Sequence, residues 1–238
     1  MDEPVLYTLE NQTAIITLNR PERRNSINQA LLTGLYDAIE QITNDDNIRA
    51  AIITGNGKSF CSGIDLDAVL TENLFDPRGD GRDLPDVFAA CDKPIIGAVN
   101  GHAITGGFEI ALNCDFLIAS ENASFADTHT KVGIHPGWGM TQLLQRAVGR
   151  LRARQMSFTC QFISAQTAYD WGLVNEIVAA DILLDRAKEI ANQICSHNPD
   201  MLNVVKKMID YRDSTTLDAA FAHEREGFQA FVKKHLKK

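Results

Sequence analysis

The chain has 238 residues, of which 45% are hydrophobic and 23% are charged; this composition is ordinary for a globular protein with a sizeable core. Its formal net charge of -8 argues against general nucleic-acid binding, which usually requires a basic face. No apolar run approaches the roughly 20 residues of a membrane span. The acidic start MDEPVLYTLE lacks the pattern of a signal peptide, so we expect a cytoplasmic protein.

Cysteine usage gives no sign of a disulfide framework or a zinc site. The five cysteines are scattered, odd in number and never spaced as CxxC, which is the spacing that such sites commonly use. We expect reduced, buried thiols and no bound metal.

The first 55 residues predict a hairpin, a helix and a strand. Residues 5–19 alternate and break in the middle, which indicates a β-hairpin. Ser26 followed by Gln29 is typical of a capping box. Apolar residues then recur at helical spacing up to the NDDN segment at 44–47. The run AAIITG at 50–55 predicts a short buried strand.

Two loops follow that strand. SFCSGID at 59–65 places Gly63 inside an apolar stretch, where a glycine indicates either a bend with close backbone approach or a plain turn. Residues 71–84 are polar and rich in Gly, Asp and Arg. This pattern predicts a mobile surface loop after a short helix, either a lid over a site or a merely solvated segment.

The segment KPIIGAVNGHAITGGFEIALNCD at 93–115 is the centre of the prediction. It indicates a buried strand at 95–99, a glycine-bearing turn, and a helix that begins at Gly106 and Gly107. Glu109 falls in the first turn of that helix. Free N–H groups, the positive end of a helix dipole and a carboxylate would therefore meet in one space. That arrangement suits a reaction in which negative charge builds on a carbonyl oxygen while a proton moves nearby.

The remaining chain is first mixed and then helical. CDFLIAS at 114–120 predicts a strand, and residues 124–149 begin as a loop and end as a helix. Ser164 is the predicted N-cap of a short helix over 165–171, which LVNEIV follows as a strand. From Ile182 onward the pattern is helical only. We therefore predict an α/β core over 1–195 and a helical region over 196–238.

The ordered motifs resemble those of the crotonase superfamily, the enoyl-CoA hydratase/isomerase family. The motifs span nearly the whole chain and are LNRPERRNSIN (18–28), FCSGIDL (60–66), KPIIGAVNGHAITGGFEIALNCDFLIAS (93–120), FADTHTKVGIHPGWGMTQLLQRAVG (125–149), AYDWGLVNEIV (168–178) and EGFQAFVKK (226–234). The resemblance implies a spiral of ββα units with a C-terminal helical region that mediates trimerisation, often as a dimer of trimers.

The resemblance also implies an acyl-CoA thioester ligand whose enolate is stabilised by two backbone N–H groups. These donors correspond to Ile64 and Gly106. Losing one such donor typically costs about 3 kcal/mol in the transition state. Coenzyme A enters as part of the substrate, so no separate cofactor is expected.

Glu109 matches the first catalytic glutamate of the hydratases, whereas the second glutamate is replaced by His129. No Glu occurs between Glu121 and Glu176. His129 could act as the second acid or base, because an imidazole titrates near neutrality. Asp127 could instead reach in, although its residue type favours a structural role in which it holds the loop by hydrogen bonds to backbone N–H groups. Glu109 could also work alone. His129 could also be an ordinary packing histidine.

The resemblance places further residues at the CoA. The FCSGID segment and the turn before the central helix contribute Ser62, Gly63, Asp65 and Gly107, and Arg24 lies where a basic residue often meets the phosphates. Trp138 would either narrow the acyl pocket or simply pack. Phe231 and Lys234 match an aromatic residue and a lysine that reach the CoA of a neighbouring subunit.

These observations favour a 2-enoyl-CoA hydratase that acts through Glu109 with His129. Two alternatives stay open. One is another reaction on the same oxyanion site, such as isomerisation, thioester hydrolysis or decarboxylation. The other is a catalytically silent acyl-CoA-binding protein. A homo-oligomer without nucleic-acid or membrane partners is expected.

Overall fold

The computed structural model describes residues 3–235 and divides into two compact units, with the division after Ser196. The first unit holds all ten strands found in that range. They are β1 (Val5–Glu10), β2 (Thr13–Leu18), β3 (Ala50–Gly55), β4 (Ser59–Cys61), β5 (Ile95–Val99), β6 (His102–Ile104), β7 (Phe116–Ser120), β8 (Ser124–Ala126), β9 (Ile163–Ser164) and β10 (Glu176–Val178).

Ten α-helices lie in the same range. They are α1 (Gln29–Asn44), α2 (Leu84–Ala90), α3 (Gly106–Leu112), α4 (His129–Val132), α5 (Met140–Val148), α6 (Arg150–Thr159), α7 (Ala165–Asp170), α8 (Leu183–Cys195), α9 (Pro199–Tyr211) and α10 (Leu217–His235). Between residues 3 and 235, no helix combines the length and the apolarity that a membrane span needs.

A six-stranded sheet forms the larger part of the core, in the order β1-β2-β3-β5-β7-β10. The predicted hairpin of β1 and β2 is antiparallel, with Val5 opposite Leu18, and every other pair in this sheet is parallel. The central strands are apolar on both faces because α8 covers one face and a larger cluster that includes α1 covers the other. Parallel strands covered on both faces are expected to form continuous apolar runs, as AAIITG does.

A second sheet of four short strands has the order β4-β6-β8-β9. Its first three strands are parallel, and β9 joins antiparallel to β8. The turn predicted between β5 and α3 contains β6, and the loop predicted to begin at residue 124 contains β8 and α4. The sequence prediction missed these strands, and it also missed α2 and α6.

The start of α1 corrects the predicted capping box. Asn28 is the N-cap, and its side chain accepts a hydrogen bond from the backbone N–H of Leu31 at 3.0 Å. Ser26 lies before the helix because Ile27 is paired, strand-like, with Ile64. The Ser26 hydroxyl instead donates to Asp65 at 3.3 Å.

Residues 71–83 have no regular structure, but several contacts fasten them to α1. Leu74 is buried. Arg78 pairs with Asp37 and Glu40 of α1 at 3.2 and 2.9 Å. The amide of Gln29 donates to the carbonyl of Pro77 at 2.8 Å. The predicted mobile loop is therefore anchored along its length.

The second unit consists of α9 and α10 with a short 3-10 turn between them. Gly227 gives α10 room for a close approach, since a β-carbon there would lie 3.1 Å from the methyl of Met208. The rings of Tyr211 and His223 pack in a tilted arrangement, with their centroids 4.5 Å apart. Helix prediction from Ile182 onward is confirmed, and no strand follows β10 up to residue 235.

Candidate active site

Three loops converge at the carboxyl ends of β4, β6 and β8. Because these strands are parallel neighbours, the segments that leave them emerge at the same edge of the small sheet, which is where ligands bind in many parallel sheets. The segments are 62–64 after β4, 105–107 after β6 and 127–129 after β8. They contain most of the predicted catalytic residues.

The backbone N–H groups of Ile64 and Gly106 are both available to a ligand. No backbone or side-chain acceptor within residues 3–235 takes a hydrogen bond from either group. Gly106 is the first residue of α3, so its N–H is one of the unpaired donors of a helix N-terminus. The two lie close together, because the Gly106 nitrogen is 3.6 Å from the place where a Gly63 β-carbon would stand.

Glycine is required at two positions next to these donors. Gly63 has φ +95°, and a β-carbon there would lie 2.9 Å from the carbonyl oxygen of Ile104. A β-carbon on Gly107 would overlap the carbonyl oxygen of Cys61. Both glycines thus let the loop after β4 touch the start of α3.

Glu109 is buried, and its two carboxylate oxygens have different surroundings. Oε1 accepts hydrogen bonds from the backbone N–H of Trp138 at 2.9 Å and of Met140 at 3.1 Å. Oε2 faces Nε2 of His129 at 3.6 Å. Burial raises the pKa of the Glu109 carboxyl, and the backbone hydrogen bonds and nearby His129 offset this rise only in part.

His129 is also buried, and Asp127 fixes its ring. Oδ1 of Asp127 lies 2.7 Å from Nδ1 of His129 and also accepts the His129 backbone N–H at 3.2 Å. Burial would raise the pKa of the Asp127 carboxyl, but hydrogen bonds from the side chains of His129 and Ser157 outweigh burial and keep that pKa below its usual value.

This arrangement determines the ring tautomer of His129. A carboxylate only accepts hydrogen bonds, so Nδ1 must carry a proton toward Asp127. In the neutral ring Nε2 is then an acceptor that faces Glu109. Its 3.6 Å separation from Oε2 is too long for a good direct hydrogen bond. It is short enough for one water molecule to contact both atoms.

Trp138 is almost fully buried and packs over the start of α3. Its Cζ3 atom would lie 3.2 Å from a β-carbon on Gly106, and its ring is 6.4 Å from that of Phe75, centroid to centroid. The carbonyl of Trp138 accepts from the Asn113 amide at 2.9 Å. The indole therefore forms one wall beside the Gly106 donor.

The structure brings some of the predicted CoA-binding residues together. The backbone N–H of Ser62 donates to the carbonyl of Arg24 at 3.1 Å, and the Arg24 side chain is exposed. The Asp65 carboxylate is already engaged, by Arg20 at 3.1 Å and by Ser26. Hydrogen bonds from Arg20 and Ser26, with a backbone bond from Asp67, outweigh burial and lower its pKa.

Phe231 and Lys234 lie on α10 in the second unit and are exposed. The Phe231 ring contacts the His235 ring, with centroids 4.9 Å apart. Their expected contact with the CoA of a neighbouring subunit stays a prediction.

Sequence reasoning missed two residues that touch the site. Ser157 of α6 helps to lower the pKa of the Asp127 carboxyl and lines a cleft of about 390 Å³ between α5 and α6. Thr105 has φ +52° immediately before Gly106. A β-branched residue in a glycine-bearing turn was a signal for Thr105, whereas no sequence pattern connects Ser157 to Asp127.

The comparisons with known proteins identify the family and the fold. The profile of the enoyl-CoA hydratase/isomerase family matches residues 8–238. A probable peroxisomal enoyl-CoA hydratase 1 from Arabidopsis thaliana is 40% identical, with 92% of this chain and 82% of that protein covered. A short-chain-enoyl-CoA hydratase from Clostridium acetobutylicum is also 40% identical, covering 94% and 87%. The crystal structure of an enoyl-CoA hydratase from Bacillus anthracis superposes with a TM-score of 0.86 at 34% identity, covering 97% and 96%.

The fold and its similarity to solved structures thus define an α/β protein of the crotonase type, which confirms the α/β crotonase-like fold predicted from the motifs. The chain belongs to the enoyl-CoA hydratase/isomerase family.

Proposed function

We propose that the protein is a lyase that adds water reversibly to a 2-enoyl-CoA, giving a 3-hydroxyacyl-CoA. The observation that carries the proposal is the buried Glu109–His129 pair beside the two free N–H donors. The names of the relatives from A. thaliana and C. acetobutylicum support it.

The thioester carbonyl oxygen would accept hydrogen bonds from the N–H groups of Ile64 and Gly106. Attack on C3 moves electrons toward that oxygen and creates an enolate. The donors act most strongly on the enolate because its oxygen carries the developing charge. Trp138 and Ile64 flank Gly106 and would keep bulk water away from it.

Water would bind between Oε2 of Glu109 and Nε2 of His129. In the working state the two groups share one proton, so one atom is basic and the other acidic. The basic atom takes a proton from water while the water oxygen bonds to C3. The acidic atom then gives its proton to C2 of the enolate. The net result is addition of H and OH, and the pair again holds one proton.

Incubation of the purified protein with crotonyl-CoA and longer enoyl-CoAs tests the proposal through the loss of the conjugated thioester absorbance. We expect Glu109→Gln to lower kcat by about 10²- to 10⁴-fold, which is the usual contribution of general acid–base catalysis. CoA affinity should be retained. Product analysis over an acyl-CoA panel identifies isomerisation, hydrolysis or decarboxylation. Tight CoA binding with no turnover by either protein would indicate a silent binding protein.

We also propose a homo-oligomer, a trimer or a dimer of trimers. Support comes from large apolar side chains that the second unit exposes, among them Ile209, Phe221 and Phe228, since extended exposed apolar surfaces commonly mark interfaces. Phe231 and Lys234 would then reach the CoA of a neighbouring subunit. Arg24 and the backbone at Ser62 would meet the adenosine phosphate part of the CoA bound by their own subunit. Light scattering measures the assembly mass directly.

A further inference from the structure

Thr105 adopts a backbone conformation that is unusual for its residue type. Its φ and ψ are +52° and -115°, and it immediately precedes the first residue of α3. A β-branched residue at positive φ is a true outlier, and such strain concentrates at functional sites. Glycine would adopt this φ without the steric penalty. Whatever Thr105 contributes must therefore come from its side chain.

The hydroxyl of Thr105 connects α3 to the segment that carries the His129 ring. Its Oγ1 lies 2.5 Å from Oγ1 of Thr128 and accepts the Thr128 backbone N–H at 3.2 Å. The backbone N–H of Thr105 also donates to the carbonyl of Ala126 at 2.9 Å. Three hydrogen bonds thus hold Thr105 against residues 126–128, directly before His129.

The remaining neighbours of Thr105 belong to the two donors. Gly106, the residue after it, supplies one N–H. The β-carbon of Thr105 lies 3.4 Å from the place where a Gly63 β-carbon would stand. Gly63 immediately precedes Ile64, which supplies the other N–H. Thr105 is 7% exposed, so these contacts enclose it almost completely.

We propose that Thr105 is a positioning residue, whose hydroxyl sets the distance between the oxyanion donors and the His129–Asp127 pair. This role rests on the proposed hydration. The donors are on the loops after β4 and β6, whereas His129 is on the loop after β8. The hydroxyl link between Thr105 and Thr128 bridges the loops after β6 and β8 directly at the site. Without it, the bond from the Thr105 backbone N–H to the Ala126 carbonyl would still join the two loops, but no side-chain contact of Thr105 would fix the segment that carries His129 against the donors.

The test compares Thr105→Gly, which removes the hydroxyl and the strain, with Thr105→Ser, which keeps the hydroxyl. We expect kcat to fall by about 10- to 100-fold in the glycine variant, since a misplacement on the order of 1 Å has that effect. KM for crotonyl-CoA and the melting temperature should change little. Serine should restore kcat to within about threefold, and Thr128→Val should reproduce the glycine result.

Thr43→Val is the matched control, because between residues 3 and 235 the Thr43 hydroxyl bonds only the Ile39 carbonyl within α1. The kcat of this variant should stay within about twofold of the original. Folding is checked by circular dichroism. Full kcat in a folded Thr105→Gly protein would overturn the proposal, and so would a folded serine variant as impaired as the glycine one.

A readout that does not need turnover separates this inference from the proposed function. The ring nitrogens of ¹⁵N-labelled His129 are assigned by loss of their signals in His129→Gln. Their chemical shifts, which report the ring tautomer, should change in Thr105→Gly and stay the same in Thr105→Ser. If the original protein does not hydrate enoyl-CoAs but this change occurs, the hydration fails and the positioning stands. If the original protein is active and neither kcat nor the His129 signal responds, the positioning fails alone.

Discussion

The two sheets of the first unit differ in what they contribute. The six-stranded sheet is built from strands of mostly five or six residues, and its central strands are buried on both faces. Three strands of the four-stranded sheet have three residues each, and the fourth has two. Yet the loops that leave the small sheet carry both free donors and the His129–Asp127 pair. The long strands build the core, and the short ones place the chemistry.

Buried charge follows the same division. Within residues 3–235, four Asp, Glu, His or Lys side chains are buried. Glu109, Asp127 and His129 are at the edge of the small sheet. The fourth, Lys93, satisfies its ammonium group with the Thr43 carbonyl and with Asp92. Burying charge is unfavourable unless it is paired, so its concentration at one edge indicates a site and not a packing device.

The largest effect that we expect from this division between the two sheets is a loss of turnover when a residue at the edge of the small sheet is changed. We expect His129→Gln to lower kcat by about 10²- to 10⁴-fold, because it removes one of the two proton-transferring groups. Asp127→Asn keeps both proton-transferring groups, so it should lower kcat by less. It should still lower kcat, because the amide can turn its NH₂ toward Nδ1 and thereby move the ring proton of His129 to Nε2. Steady-state kinetics with crotonyl-CoA and CoA binding by calorimetry separate kcat from affinity. Unchanged kcat in His129→Gln would reduce His129 to a packing residue.

The large sheet could be predicted from the sequence, and the small one could not. Runs such as AAIITG and CDFLIAS carry enough β-branched apolar residues to indicate strands. A three-residue strand such as β6 shows no alternation, and its glycine-rich surroundings predict a turn. The helix α6 escaped prediction because RLRARQMSFT buries only Ala153 and Met156, so its apolar face is too narrow to show a period.

The site was predictable in parts. The motifs grouped Ile64, Gly106 and Glu109, because glycine positions and a carboxylate at a helix start have local signatures. The partners of His129 had none. Whether Asp127 contacts its ring depends on how the chain turns after β8. The sequence favoured Asp127 as a structural residue that accepts backbone N–H groups, and it does accept the His129 N–H at 3.2 Å; its contact with the His129 ring at 2.7 Å was not predicted.

The second-largest effect is on stability. A substitution in the large sheet should lower stability more than kcat, and one in the small sheet should lower kcat more than stability. Ile53 of β3 is fully buried, so Ile53→Ala should lower the free energy of unfolding by about 2–5 kcal/mol. Its kcat at a temperature where the protein is folded should stay within about twofold. Phe125→Leu in β8 shortens a fully buried side chain and should cost less than the roughly 3–5 kcal/mol of a complete Phe→Ala truncation.

Phe125→Leu should nevertheless lower kcat several-fold, because the ring of Phe125 packs at 5.4 Å against Phe108, the neighbour of Glu109. Urea unfolding and initial rates measure the two quantities on the same samples. Equal sensitivity of kcat to both substitutions would show that the two sheets do not divide stability and chemistry.

The smallest effect is on the pH dependence of stability, where Glu109 and Asp127 should act with opposite sign. Burial raises the pKa of Glu109 in the folded state. Its stabilising contribution is therefore present below the unfolded pKa and lost as pH rises through the folded pKa. Glu109→Gln stays neutral and should melt higher than the original protein at pH 8, with the difference vanishing near pH 4.

Hydrogen bonds from His129 and Ser157 outweigh burial and lower the pKa of Asp127. Its contribution is present above the unfolded pKa and is lost as pH falls through the folded pKa. Asp127→Asn should therefore melt lower at pH 8, and the deficit should shrink in acid. We expect shifts of about 2–4 °C, which corresponds to about 1 kcal/mol in a domain of this size. Calorimetric scans from about pH 2.5 to pH 8 check both variants, because the Asp127 deficit persists down to an unfolded pKa of about 3.9 and shrinks only below it. Melting-temperature shifts of the same sign at pH 8 would contradict a raised pKa at Glu109 and a lowered pKa at Asp127. Only opposite pKa displacements make stability change with pH in opposite directions.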